Sequence, residues 1–142
     1  MKTSKNISVT QNRRSDVAIL FLRLFIGGVM LLHIIGKLQD YDNLLLTYHH
    51  LLGFDAATSF AIITILEGVF AVMIMLGVAT RFASAMMIIV AVMSIAEALL
   101  DENPNIAIAK LNFVYMGIYT ALLISGGGKY AFNVPNLLRK NG

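Results

Sequence analysis

Cysteine is absent from the 142 residues. Its absence excludes disulfides, iron–sulfur clusters, thiolate zinc sites and c-type haem attachment, and with them a dithiol relay inside this chain. Redox chemistry here would need a bound cofactor or a partner subunit. Charge is scarce too. Asp, Glu, Lys and Arg make up 13% of the chain and apolar residues 58%, where soluble domains carry about 25% and about 45–50%. A water-soluble fold of that composition would expose large apolar patches and aggregate, so the expected surroundings are a lipid bilayer. No phosphate loop, metalloprotease motif or nucleophile elbow is present. No basic stripe is interleaved with aromatics, so nucleic acid is not an expected partner.

What the chain does have is four long apolar runs: Val17 to Gly36, Thr58 to Val78, Phe82 to Leu100, and Ile106 to Ile124. Each approaches the ~20 residues that cross a bilayer core at ~1.5 Å per residue, and none has a broad polar face. The expected fold is all-α: an integral membrane four-helix bundle forming one domain over residues 17–128. Basic tails flank it at residues 1–16 and 129–142. Ser15 and Asp16 are candidate caps for the first helix, and Asp55, Thr58 and Ser59 for the second. Asn103-Pro104 separates the third helix from the fourth, and Gly126 to Gly128 closes the last. The first run is too long for a signal peptide, contains Arg23 and lacks a small-x-small cleavage site, so it is read as an uncleaved span.

Lys and Arg set the expected orientation. With both termini inside, Lys2, Lys5, Arg13, Arg14, Arg81, Lys129, Arg139 and Lys140 are cytoplasmic, whereas only Lys37 and Lys110 lie toward the outer side. That places the chain as a multi-pass protein of a bacterial cytoplasmic (inner) membrane. The first outer connector, DYDNLLLTYHHLLGF, repeats Leu44, Leu45, Tyr48, Leu51 and Leu52 at helical spacing. It is expected as a short amphipathic helix on the outer surface, ended by Gly53, or as an ordered loop packed on the bundle. In the fourth span Gly117, Ala121 and Ser125 recur every four residues, a spacing that permits close helix approach and also arises by chance in such a chain.

Ionisable side chains inside a span cost roughly 2.5–3.5 kcal/mol each on insertion scales and normally face protein or water. Arg23 lies about 9 Å into the first span, near enough to snorkel. Glu67 sits near the middle of the second. His33, Lys37, Glu97, Lys110 and Asn112 fall in the outer third, and Tyr115 and Tyr119 continue the Asn112 face inward at i+3 and i+7. Arg23, Met30 and Lys37 are seven apart on one face of the first helix, with His33 one turn from Lys37. Two readings stand. In one, Arg23 pairs with Glu67, and Lys37 or Lys110 with Glu97, as structural ion pairs. In the other, the outer-third cluster lines a cavity that binds a polar head group or passes protons, since low dielectric favours a neutral carboxyl unless a cation compensates. No metal is expected. His49 and His50 are adjacent and diverge on a helix, and His33 has no second histidine at a depth suited to haem.

The run RLFIGGVMLLHIIGKL (Arg23 to Leu38) resembles the opening signature of the DoxX family of small bacterial membrane proteins. EGVFAVMIMLGVATR (Glu67 to Arg81) is similar to its second-helix signature, and YTALLISGGGKYAFN to its glycine-rich close. Together they cover most of Arg23 to Asn133. The resemblance implies a four-helix membrane bundle and an association with thiosulfate:quinone oxidoreductase or membrane redox-stress complexes. It draws attention to the positions of Arg23, His33, Lys37, Glu67 and Arg81. On this reading the chain is a quinone-linked redox subunit. Glu67, Glu97 and His33 would do the proton and hydrogen-bond chemistry, and Arg23, Lys37, Lys110, Asn112, Tyr115 and Tyr119 would line the quinone site. Another redox subunit or a second copy would be the partner. The alternative is a non-enzymatic scaffold, assembly factor or small-solute permease.

Overall fold

The apolar runs become helices because in hydrocarbon every backbone N–H and C=O must be satisfied within the segment. In the computed structural model they are α1 (Lys2–Gln39), α3 (Ala56–Leu76), α4 (Thr80–Leu100) and α5 (Ile106–Ser125), with a short α2 (Tyr41–Thr47) between the first two. The structure describes residues 2–47, 54–100 and 103–132, with backbone alone for residues 2–12 and 47. Four stretches, Arg13–Gln39 and the whole of α3, α4 and α5, are long and apolar enough to cross a membrane. No strand occurs among the described residues. The expected four-helix membrane bundle is the observed one.

The boundaries follow local chemistry, with one correction. α1 does not start at Ser15 and Asp16. It runs unbroken from Lys2, because no glycine or proline interrupts residues 2–16. Asp16 serves elsewhere: its Oδ1 accepts the Lys129 N–H (3.1 Å) beyond the end of α5. Asp55 caps α3 as expected, accepting from Thr58 N–H at 3.2 Å and from the Thr58 hydroxyl. Asn105 caps α5 by accepting from Ile108 N–H. α3 stops at Gly77, whose φ of 79° is left-handed. α2 is described over Tyr41–Thr47, and at its start Tyr41 meets Phe60 edge-on at 5.3 Å. The rest of the expected amphipathic helix, Tyr48 to Gly53 with His49 and His50, lies outside the described residues.

Around the bundle α1 packs on α3, α3 on α4, α4 most extensively on α5, and α5 back on α1. α1 and α3 approach closely at Gly27, where a Cβ would clash with Met75 Cγ and lie 3.2 Å from the Ala71 carbonyl oxygen. Ile26, Met30, Phe70, Ala71, Ile74, Ala83, Met87, Tyr115, Tyr119 and Leu122 fill the centre. The outer faces carry exposed Phe21, Leu32, Ile65, Phe113 and Ile124, the inverse of a soluble bundle and the surface acyl chains require. Gly117, Ala121 and Ser125 also face outward, and Gly117 has open space where its Cβ would be. The small-residue row therefore brings no two helices of this bundle together.

Candidate functional site

Buried polar groups gather at two levels of the bundle. At the first, Arg23 reaches the end of α3. A helix leaves its last four carbonyls without intrahelical donors. Those of α3 are all met: Met73 O accepts from Val78 N–H, Ile74 O from Gly77 N–H, and Leu76 O from Phe132 N–H. Arg23 Nε donates to Ile74 O (3.0 Å) and Nη2 to Met75 O (2.9 Å), while Nη1 donates to Gly127 O (2.6 Å). The planar fork of the guanidinium matches this task, and its positive charge complements the negative end of the helix dipole. The expected pairing of Arg23 with Glu67 is not formed. Arg81 does the same for α5 from the outside, its Nη2 donating to Ile124 O at 3.2 Å. Burying an arginine in an apolar run is thus explained by the next helix, which ends beside it.

At the second level, Lys37 Nζ donates to both carboxylate oxygens of Glu67, at 2.7 and 2.9 Å. The ion pair that forms is this one, not Lys37 with Glu97. A helical side chain leans toward its own N-terminus. Lys37, near the end of α1, therefore bends down into the bundle to meet a residue halfway along α3. Glu67 is buried, and 18% of the Lys37 side chain stays exposed. One partner is sealed and the other keeps contact with the surface. His33 is half-buried and within electrostatic reach of both. Tyr119, 2% exposed, is within electrostatic reach of Glu67 and of Tyr115. Its hydroxyl makes no hydrogen bond among the described residues, and neither does that of Thr64, one turn before Glu67 on α3.

The structure brings together His33, Lys37, Glu67, Tyr115 and Tyr119. It does not bring Glu97 or Lys110 to them: both are exposed, near the end of α4 and the start of α5, and Glu97 has no ion pair among the described residues. Asn112 is half-buried and donates to Ile108 O on its own helix. Arg23 belongs to the other level. Sequence reasoning missed Thr64, whose signal was its position three residues before Glu67. It also missed the buried hydroxyls of Thr80 and Ser84, which carry no spacing that marks them. No cluster of three metal-ligating side chains occurs among the described residues.

The sequence pattern of the DoxX family matches residues 18–99, more than half of the 142 residues. The match covers α1 from Ala18 onward, α2, α3 and nearly all of α4, and so includes Arg23, His33, Lys37, Glu67, Arg81 and Glu97, whereas Tyr115 and Tyr119 on α5 lie beyond it. No curated protein and no solved structure matches the chain. With its four apolar helices and this match, the chain is a membrane protein that belongs to the DoxX family.

Proposed function

We propose that the chain is a quinone-linked redox subunit of a bacterial cytoplasmic membrane, with both termini inside and the ligand held beside Glu67. One observation carries the reading: the buried Tyr119 hydroxyl, within electrostatic reach of buried Glu67, and the buried Thr64 hydroxyl, one helical turn from Glu67, have no hydrogen-bond partner among the described residues. A buried hydroxyl without a hydrogen bond costs about 1–3 kcal/mol and calls for a water or a ligand to meet it. These are the donors that a ligand carbonyl requires, so the residues present fit a quinone. Bound there, a quinone supplies a two-electron, two-proton couple, and the electrons come from a partner redox subunit.

The residues divide the remaining work. Tyr119 Oη and Thr64 Oγ1 hold a carbonyl oxygen, and Tyr115 extends the wall. Glu67 exchanges a proton with Lys37 Nζ, whose partial exposure connects the pair to water. His33 donates a hydrogen bond to the ligand's outer edge. Glu97, Lys110 and Asn112, at the same end of the bundle, form the rim that meets an anionic donor or the partner subunit. Arg23 fixes α1 against the end of α3 and so keeps Lys37 in register with Glu67.

A second reading, a scaffold or assembly factor, is favoured by the two contacts between Lys37 and Glu67, which leave little charge unspent. Spectroscopic titration of the purified protein with a menaquinone analogue separates them. The redox reading expects saturable binding, weakened by Tyr119→Phe and Glu67→Gln. The absence of saturable binding would end it, and changed complex formation in Glu67→Gln without any ligand effect would support the scaffold.

A further inference from the structure

One cavity of the described structure is not beside Glu67. It lies at the opposite level of the bundle, where α3 turns into α4 and the chain leaves α5. Its volume is about 610 Å³, and Thr80, Arg81, Phe82, Gly126, Gly127 and Phe132 are among its lining residues.

Four features of this cavity agree. α4 begins here without a side-chain cap, because the residue before it is Ala79; its first intrahelical bond runs from Ala83 N–H to Ala79 O. The first N–H groups of the helix therefore lack intrahelical partners and carry the positive end of its dipole. Thr80, at that helix start, is 4% exposed, lines the cavity, and its hydroxyl has no hydrogen-bond partner among the described residues. Arg81 lines the same space, and its guanidinium uses one of its donors on Ile124 O. Arg23 stands directly behind Gly77, where a Cβ would come within 2.7 Å of its guanidinium. The carboxylate that approaches this end is Asp16, already accepting the Lys129 N–H.

We infer that this cavity binds a phosphate group, carried either by a phospholipid head or by a small anion in solution. Thr80 Oγ1 donates to one phosphate oxygen, Arg81 to another, and the start of α4 faces the charge, the arrangement that makes helix N-termini anion sites. The apolar rim at Phe82 and Phe132 gives a glycerol or acyl segment a place to lie. The inference is independent of the quinone reading, because it uses neither Lys37 nor Glu67.

The test is thermal unfolding of the full chain in phosphate-free, non-ionic detergent, with two additions in parallel. One arm receives phosphatidylglycerol and the other inorganic phosphate, each compared with its chloride or lipid-free control. Stabilisation in the first arm alone assigns the phosphate to a lipid, and stabilisation in the second assigns it to a soluble anion. Either supports the site only if Thr80→Val weakens the apparent affinity roughly tenfold or more, the worth of one charge-assisted hydrogen bond. Without ligand, Thr80→Val should melt at or above wild type, since it removes an unsatisfied hydroxyl, which keeps folding and binding separable. Arg81→Gln should weaken binding further. Stabilisation in neither arm, or an affinity untouched by Thr80→Val, overturns the inference.

Discussion

Lys37 and Glu67 hold each other unequally. Glu67 is sealed, whereas Lys37 can lift its ammonium back to the surface along its hydrocarbon stem. Lys37→Met strands a buried carboxylate and should cost about 3–5 kcal/mol, as breaking buried pairs does. Glu67→Gln should cost less, about 1–3 kcal/mol. The double variant Lys37→Met/Glu67→Leu should recover most of the loss, because a well-packed apolar pair often matches a buried ion pair. Reversible unfolding in micelles would measure all three, and equal losses for the two single variants would contradict the asymmetry. Arg23 gives a second expectation. Three donors of one guanidinium meet three carbonyls in a fixed fork. Arg23→Lys keeps the charge but not the fork, so it should lose about 1.5–3 kcal/mol for each unreplaced contact, short of full additivity. Arg23→Met should lose more, and an unchanged unfolding midpoint in Arg23→Lys would refute the capping role.

Among the elements, α3 and α5 carry side-chain caps and α4 does not. The Asp55 carboxyl is held below the usual aspartate range, first by the Thr58 hydroxyl and then by the Thr58 N–H. A depressed folded value means that the cap's stabilisation is complete above the unfolded pKa of about 3.9 and is lost as pH falls through the lower folded value. Asp55→Asn should retain the cap and lose this acid sensitivity, whereas Asp55→Ala should lose the cap at every pH. Unfolding midpoints across pH 2–6 would check both. The elements were largely legible in the sequence, since the length and apolarity of the four runs leave helices as the sole open-ended solution in lipid. The start of α1 was not, because Ser15 and Asp16 look like caps in isolation and helical propensity upstream decides otherwise. The pairings were legible only as a set of candidates. Which cation reaches Glu67 depends on the lean of Lys37 and on the C-terminus of α3 claiming Arg23, and neither follows from depth along a single helix. That Glu97 points outward likewise rests on the rotation of α4, which its nearly uniform apolarity does not specify.

At the scale of the whole molecule, the bundle presents an apolar exterior, a half-sealed ion pair on one level and a guanidinium-rich level on the other. The lysine and arginine bias predicts that the Arg81 level is cytoplasmic. The cysteine-free chain makes this directly measurable. Single cysteines at the exposed Leu46 and Asn103 should react with a membrane-impermeant maleimide on intact cells. One at the exposed Lys129 should react only after permeabilisation. The reverse labelling pattern would invert the assignment and place Glu97 and Lys110 on the inner side. Glu97 and Lys110 both stay exposed at the level opposite Arg81.

In the proposed site, Glu67 and Tyr119 form the polar heart that meets a ligand, whereas in a purely structural bundle they meet none. Infrared difference spectroscopy tests it most directly, comparing the protein with and without a bound menaquinone analogue. A ligand held by these two side chains should give a carboxyl band that vanishes in Glu67→Gln and a phenol C–O band that vanishes in Tyr119→Phe. A difference spectrum that both substitutions leave unchanged would contradict it.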